Sequence, residues 1–133
     1  MERVLEKLTV LVAEDDRPSL NLALTLLKHA GATACGVGDG KSAVDHATSE
    51  PYDIVLMDVQ LPVMDGCAAT QMIRRWQAEA GRGPLIIGVT AHALPEHNAA
   101  CLAAGMNAVI PKPIDPATFA MTIREYVDKV ALG

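Results

Sequence analysis

The most informative segment of this chain reads Asp53-Ile54-Val55-Leu56-Met57-Asp58-Val59-Gln60-Leu61-Pro62. Four consecutive apolar residues, 54–57, end at a carboxylate, and a loop that contains a proline follows. A short apolar run bounded by polar and turn residues is typical of a buried strand in a parallel sheet. Ligands of such sheets bind beyond the carboxyl ends of the strands. The pattern therefore presents Asp58 where it can be a nucleophile, a metal ligand or a capping residue.

Composition indicates one globular domain. The chain has 133 residues, of which 50% are hydrophobic and 20% are charged. We therefore predict a single domain over residues 1–133 with a substantial core. The formal net charge of -5 argues against direct binding to nucleic acid or to anionic lipid. No apolar run approaches the roughly 20 residues that a membrane-spanning helix needs, so we predict no membrane insertion.

The cysteines and the N-terminus favour a cytoplasmic location. Residues 1–7 mix charges and lack the apolar stretch of a secretion signal. Cys35, Cys67 and Cys101 are widely spaced and form no C-x-x-C pair. This spacing favours reduced thiols in or near the core over a disulfide framework or a zinc site.

Ten segments read as alternating strands and helices. The strands are predicted over residues 8–13, 32–37, 54–57, 85–89 and 108–110. The helices are marked by Leu20, Leu24 and Leu27; by Ala43, Val44 and Ala47; by Ala69, Met72, Ile73 and Trp76; by the segment from Pro95 to Gly105; and by Phe119, Ile123, Val127 and Val130. We expect Asp39 to cap the second helix, and Asp115-Pro116 to cap and begin the last one.

Five-fold alternation of strand and helix indicates a parallel sheet covered by helices on both faces. Crossovers between parallel strands are right-handed. The predicted fold class is therefore α/β, a doubly wound five-stranded parallel sheet with five helices. The order of the strands within the sheet cannot be read from these patterns.

Polar residues stand at or just past four predicted strand ends. They are Glu14-Asp15-Asp16, Asp58, Thr90 and Lys112. The carboxyl ends of parallel strands share one edge of a sheet, so we expect these side chains to meet. Clustered carboxylates favour a cation such as Mg²⁺, and a carboxylate can also accept a phosphoryl group. A lysine and a hydroxyl nearby would stabilise the added charge.

Each of these residues has an ordinary structural interpretation when taken alone. Asp58 could be a cap, Lys112 a solvated surface residue and the acidic triplet an exposed helix start. Their joint placement at four strand ends favours one phosphoryl-transfer site.

In this pattern the chain resembles the receiver domain of two-component response regulators, which has a flavodoxin-like fold. The resemblance covers the chain from about Leu8 to the final helix. It is carried by Val10-Leu11-Val12-Ala13-Glu14-Asp15-Asp16, by the segment from Asp53 to Gly66 with its Met57-Asp58 and Pro62-Val63-Met64-Asp65-Gly66, by Val89-Thr90-Ala91, and by Pro111-Lys112-Pro113.

The resemblance implies a metal-assisted phosphoacceptor site. Asp58 would accept the phosphoryl group and also bind the metal, Mg²⁺ or Mn²⁺. Asp15 would bind the metal directly, Glu14 through water, and the backbone carbonyl of Gln60 would complete the protein ligands.

The resemblance also assigns the residues around the acceptor. Thr90 would contact the phosphoryl group, Ala91 would leave the site open, and Lys112 would pair with the phosphoryl charge. The resemblance also implies that the Lys112-Pro113 bond is cis. The side chains of Gln60 and His92 would tune the lifetime of the phosphoryl group, although His92 alone reads as a solvated loop residue. His29, His46 and His97 show no spacing that suggests a metal site.

A phosphorelay is the context that the resemblance implies. A sensor histidine kinase or a histidine phosphotransfer domain would donate the phosphoryl group, and phosphorylation would change partner binding. The segment from Thr90 to Met106 resembles receivers attached to hybrid histidine kinases. Such a domain assists its own phosphotransfer and dephosphorylation without being an ordinary enzyme. Homodimer formation through the last two helices and last strand stays open.

Two positions depart from the family pattern. Val109 stands three residues before Lys112, where receivers usually carry Tyr or Phe as part of the switch. A β-branched side chain is stiff and cannot make the same inward swing. Pro111 should stiffen the loop before Lys112. We expect phosphorylation itself to be unaffected by these two residues. The conformational change that usually involves the aromatic side chain is in doubt.

Two other functions compete with the receiver interpretation. A phosphatase of the haloacid dehalogenase type also uses an Asp after a strand, but it needs a second Asp two residues later, where this chain has Gln60. A receiver-like module that binds partners without phosphorylation is the other alternative, and Val109 gives it some support.

Overall fold

The computed structural model describes residues 3–92 and 94–132, and the side chains among them up to residue 130. Strands and helices alternate throughout this part of the chain. The strands are β1 (Thr9–Ala13), β2 (Thr33–Val37), β3 (Ile54–Asp58), β4 (Leu85–Thr90) and β5 (Ala108–Pro111). The helices are α1 (Arg17–His29), α2 (Gly40–Ser49), α3 (Gly66–Ala80), α4 (Pro95–Ala103) and α5 (Phe119–Leu132).

All five strands form one parallel sheet in the order β2-β1-β3-β4-β5. The chain order reverses direction between β1 and β3, which is the topological switch point where such sheets bind ligands. The predicted fold class is confirmed. Among the described residues no helix is long and apolar enough to cross a bilayer.

Two hydrophobic layers cover the two faces of the sheet. Alternate strand residues such as Val12 and Leu56 pack with Leu20 and Leu27 of α1 and with Ile123 of α5. The intervening strand residues face the other layer, which contains buried side chains from α2, α3 and α4. Because side chains alternate along a strand, a sheet covered on both faces needs continuous apolar runs. The sequence of β3, in which every residue is buried, has that property.

Several element ends differ from the sequence-based prediction. Asp58 and Thr90 are the last residues of β3 and β4 rather than the first loop residues after them. Helix α4 ends at Ala103, and Gly105 follows in a left-handed conformation with φ of 116°. Pro111 belongs to β5 and not to the following loop.

The predicted Asp115 cap is confirmed, but the assigned helix begins four residues later, at Phe119. The Asp115 side chain accepts a hydrogen bond from the backbone N–H of Ala117, and its carbonyl accepts from Thr118 N–H. The latter bond spans three residues, which is a tight turn over residues 116–118. The same carbonyl also accepts from Phe119 N–H at 2.9 Å, so this turn leads directly into α5. Val130 is exposed, contrary to its predicted place on the buried face, because the helix extends beyond the core from residue 128 onwards.

The three cysteines are free thiols, as the sequence predicted. Cys101 is buried, Cys67 half-buried and Cys35 exposed, and the Sγ atoms of Cys67 and Cys101 lie 3.7 Å apart between α3 and α4. Burial, followed by the hydrogen bond with Cys101, raises the pKa of Cys67 to about 12. The Cys67 thiol therefore stays protonated at neutral pH, and the two side chains pack together as small, largely apolar groups.

The loop from Asp58 to α3 is held against the end of β3 by Gly66. The Gly66 N–H donates to the carbonyl of Val59 at 2.8 Å, and the Asp65 side chain caps α3 by accepting from Ala68 N–H. A Cβ atom placed on Gly66 would lie 2.2 Å from the carbonyl oxygen of Asp58. The first turn of α3 therefore packs directly on the backbone of the proposed acceptor residue, and only glycine fits there.

We predict that Gly66→Ala destabilises the fold by about 1–3 kcal/mol, because the added methyl group must displace backbone atoms in a packed site. The free energy of unfolding in urea measures this effect. Gly38→Ala is the matched control, since a Cβ at Gly38 meets nothing within 4 Å. A loss for Gly66→Ala no larger than that for Gly38→Ala would contradict the close packing.

Candidate functional site

Three carboxylates converge at the carboxyl edge of the sheet. One oxygen from each of Glu14, Asp15 and Asp58 lies within 4.8 Å of the others. Glu14 and Asp58 are buried, whereas Asp15 is exposed. Buried carboxylates are costly unless cations or hydrogen-bond donors compensate their charge. The sequence-based grouping of these residues is confirmed.

The acidic triplet after β1 divides into different roles. The Glu14 N–H donates to the carbonyl of Val37 at 3.0 Å, which continues the pairing of β1 with β2 and turns the Glu14 side chain inward. Asp16 instead caps α1, since its side chain accepts hydrogen bonds from the hydroxyl and backbone N–H of Ser19. These bonds hold the pKa of Asp16 below its usual value. Glu14 and Asp15 are therefore left to face Asp58.

Lys112 bridges the two buried carboxylates. Its Nζ lies 2.7 Å from Glu14 Oε1 and 2.7 Å from Asp58 Oδ2. Burial opposes the charged form, but the hydrogen bonds to Asp58 and Glu14 outweigh it and raise the pKa of Lys112 above its usual value. The ammonium group therefore stays charged across the physiological range. One cation among three carboxylates leaves an excess of negative charge at the site.

The loop after β3 places Gln60 beside Asp58. The backbone N–H of Gln60 donates to Asp58 Oδ1 at 3.0 Å, so Asp58 has the capping contact that the sequence left open as an alternative. Its Oδ2 meanwhile faces Lys112, and the two roles coexist in one side chain. The side chain of Gln60 is exposed. The use of its carbonyl as a metal ligand stays a prediction.

Thr90 ends β4 with its hydroxyl engaged by the segment that leads into α4. The Oγ1 atom accepts a hydrogen bond from His92 N–H at 3.0 Å and lies 3.3 Å from His97 Nε2. The rings of His92 and His97 meet edge to face with their centroids 6.4 Å apart. His92 itself is exposed, and Ala91 is exposed beside it, as a residue that leaves the site open would be.

Sequence reasoning missed the contact of His97 with Thr90. The contact depends on how the first turn of α4 lies over the end of β4, which no local pattern encodes. The usable signal was a histidine seven residues after the strand-end threonine, on a predicted helix that begins at Pro95.

The segment around Lys112 keeps one feature that the resemblance implied and contains both departures from the family pattern. The Lys112-Pro113 bond is cis, as the resemblance implied. Val109 is half-buried and packs against the layer formed by α2, α3 and α4. The Lys112 N–H donates to the Thr90 carbonyl at 2.7 Å, so the backbone of the lysine is fixed by β4 while its side chain reaches β1 and β3.

Comparison with known proteins identifies the family. The family described as "Response regulator receiver domain" matches residues 10–124. A sensor histidine kinase of Pseudomonas protegens, GacS, is 38% identical over 118 residues, which are 88% of this chain and 13% of that protein. Histidine kinase 1 of Arabidopsis thaliana is 33% identical, and the match covers 92% of this chain and 13% of that kinase. The chain thus spans about an eighth of the length of these relatives.

A solved structure gives the same result. The receiver domain of a sensor histidine kinase from Pseudomonas aeruginosa, with a magnesium ion coordinated in its active-site cleft, superposes with a TM-score of 0.80. The two chains are 36% identical, and the match covers 91% of this chain and 98% of that one. From the matched segment, its fold and these relatives, we conclude that the chain belongs to the response regulator receiver domain family.

Proposed function

We propose that this receiver domain accepts a phosphoryl group on Asp58, with Mg²⁺ bound between the carboxylates, and changes its partner binding in response. The observation that carries the proposal is the position of Lys112, whose ammonium group contacts Asp58 and Glu14 at 2.7 Å each. A phosphoryl group on Asp58 would bring further negative charge to this place. A positioned lysine stabilises such charge in phosphoryl transfer.

The carboxylates fit a magnesium ion. Mg²⁺ takes oxygen ligands at about 2.0–2.1 Å in an octahedron, which places its ligand oxygens roughly 3–4 Å apart. The oxygens of Glu14, Asp15 and Asp58 lie within 4.8 Å of one another, so Asp15 and Asp58 could contact one ion while Glu14 reaches it through a bound water. The related receiver domain from Pseudomonas aeruginosa holds magnesium in its cleft. When bound, the ion neutralises charge on the transferring phosphoryl group.

The residues of the chain would divide the chemistry of transfer. An oxygen of Asp58 attacks the phosphorus of a phosphohistidine, the new O–P bond forms as the N–P bond breaks, and the imidazole of the donor leaves with the bonding electron pair. The product is an acyl phosphate, and Lys112 then pairs with one of its phosphoryl oxygens in place of the carboxylate oxygen that it contacts now. Thr90 can donate its hydroxyl hydrogen to another phosphoryl oxygen once it is released from its contacts with α4.

The phosphoryl donor would be a sensor histidine kinase or a histidine phosphotransfer domain. The support is that the relatives named above are sensor histidine kinases, of which a receiver domain of this length is a small part. We propose the same kind of attachment or partnership for this chain, with residues 1–133 acting as one domain. Use of Mn²⁺, homodimer formation and the lack of nucleic-acid binding stay predictions.

One alternative function remains in competition. A receiver-like module that signals without phosphorylation is favoured by Val109, which lacks the aromatic ring of the usual switch. The full set of Glu14, Asp15, Asp58, Thr90 and Lys112 at the sheet edge argues against it. Membership of the receiver family leaves the phosphatase alternative without support.

We predict that acetyl phosphate with Mg²⁺ adds one phosphoryl group to the chain and that Asp58→Asn abolishes this addition, because the amide is a poor nucleophile. Intact-mass spectrometry measures the addition, and chelation of Mg²⁺ should prevent it. Asp53→Asn is the matched control. Asp53 lies just before the opposite end of the same strand, where it accepts a hydrogen bond from Thr9 N–H, so its replacement should leave labelling intact. Labelling of Asp58→Asn at the normal rate would refute Asp58 as the acceptor.

We also predict that Lys112→Met tightens Mg²⁺ binding and lowers the free energy of unfolding without Mg²⁺ by about 1–3 kcal/mol. The variant removes the cation that competes for Glu14 and Asp58 and leaves these buried carboxylates uncompensated. Calorimetric titration with Mg²⁺ and denaturation with and without the ion measure the two effects.

Lys41→Met is the control for the loss of a lysine salt bridge. Lys41 pairs with Asp45 at 2.9 Å, and both side chains are mostly exposed, so the pair contributes little to stability. Neither Mg²⁺ affinity nor stability should change appreciably in this variant. Unchanged or weaker Mg²⁺ binding by Lys112→Met would show that the lysine does not compete for the site.

A further inference from the structure

The hydrogen bonds of the Thr90 hydroxyl go to the segment that leads into α4 and to the first turn of that helix. Thr90 is 1% exposed, and its Oγ1 contacts His92 N–H and His97 Nε2. Among residues 3–92 and 94–132, none of its side-chain hydrogen bonds goes to Asp58. In this state the hydroxyl is therefore turned away from the place where a phosphoryl group would form.

The contact with His97 can occupy the single hydrogen of the Thr90 hydroxyl. A hydroxyl has one hydrogen to donate, and it accepts through its oxygen lone pairs. The oxygen of Thr90 already accepts from the backbone of His92. When His97 carries its proton on Nδ1, its Nε2 accepts the Thr90 hydrogen, and that hydrogen cannot reach a phosphoryl oxygen at the same time.

The first turn of α4 is little buried, with residues 94–96 exposed and residues 97–98 half-buried. Its N-cap residue, Leu94, makes no side-chain capping bond, and Cys101 is the buried residue of the helix. The amide oxygen of Asn98, next to His97, is buried with no hydrogen-bond partner in the part of the chain that the structure describes. An unpaired buried polar atom is unfavourable, so the present position of this turn leaves one hydrogen-bond acceptor of Asn98 unpaired.

We propose that His97 is a positioning residue that holds Thr90 away from Asp58 and links the release of Thr90 to the first turn of α4. The inference rests on the phosphoacceptor function proposed above. When the Thr90 hydroxyl donates to a phosphoryl oxygen, its bond to His97 breaks, and the imidazole and the start of α4 are free to take a different position. This coupling requires no aromatic residue at Val109.

Beryllofluoride with Mg²⁺, which mimics a phosphoryl group on the acceptor, is the probe for this inference. His97→Ala removes the competitor for the Thr90 hydrogen, so beryllofluoride affinity should rise about threefold to tenfold, the range that one neutral hydrogen bond contributes. His97→Gln offers an acceptor again and should return the affinity towards that of the unchanged chain. Titration followed by amide NMR shifts measures the affinities and shows that each variant is folded.

His29→Ala is the matched control, because His29 is an exposed histidine in the last turn of α1, away from the carboxyl edge of the sheet. Its affinity should stay within about twofold of the unchanged chain. A second measurement follows the ring nitrogens of His97 directly. Saturation with beryllofluoride should shift the Nε2 resonance as its hydrogen bond breaks, a change that a merely structural histidine would not show.

The outcomes separate this inference from the proposed function. If the unchanged chain binds no beryllofluoride in the presence of Mg²⁺, both are refuted. If it binds beryllofluoride but His97→Ala has the same affinity, or the Nε2 resonance does not move, the phosphoacceptor function stands and the role of His97 is refuted. Tighter binding by His97→Ala, with its reversal in His97→Gln, supports the coupling.

Discussion

The contacts of Lys112 with Glu14 and Asp58 are the interaction on which the rest of this site depends. They join the ends of β1 and β3 to the segment that follows β5, and β4 lies between β3 and β5 in the sheet. Both carboxylates are buried, and burial of two like charges side by side is unfavourable without a cation. The same contacts give the site its chemical character, because one lysine leaves room for a divalent ion and for the charge of a phosphoryl group.

The site also shows how a signal could leave it without an aromatic residue near β5. Val109 is half-buried in the layer that α4 helps to form, and a stiff β-branched side chain has little freedom to change position. The contact of Thr90 with His97 reaches α4 directly from the strand end. Under the proposed coupling, a change at Asp58 would therefore reach the surface through the start of α4 rather than through a buried aromatic ring.

Much of this structure follows from the sequence because parallel strands buried on both faces need continuous apolar runs, and such runs place their polar neighbours at one edge. That logic brought Glu14, Asp58 and Lys112 together correctly. It could not divide the acidic triplet, because the capping role of Asp16 depends on Ser19 one turn later. It could not find the contact of His97 either, since that contact depends on how α4 packs over the end of β4 rather than on periodicity.

Pro111 has a consequence for how copies of the domain meet. Strand β5 lies at the edge of the sheet, and an open edge with free N–H groups invites another strand to pair with it. Backbone directions alternate along a strand, and the Lys112 N–H already points to β4, so the nitrogen of Pro111 faces outward with no hydrogen to donate. The sheet is thereby protected against edge-to-edge growth at the strand nearest its lysine, and crowded copies are discouraged from fusing into a continuous sheet.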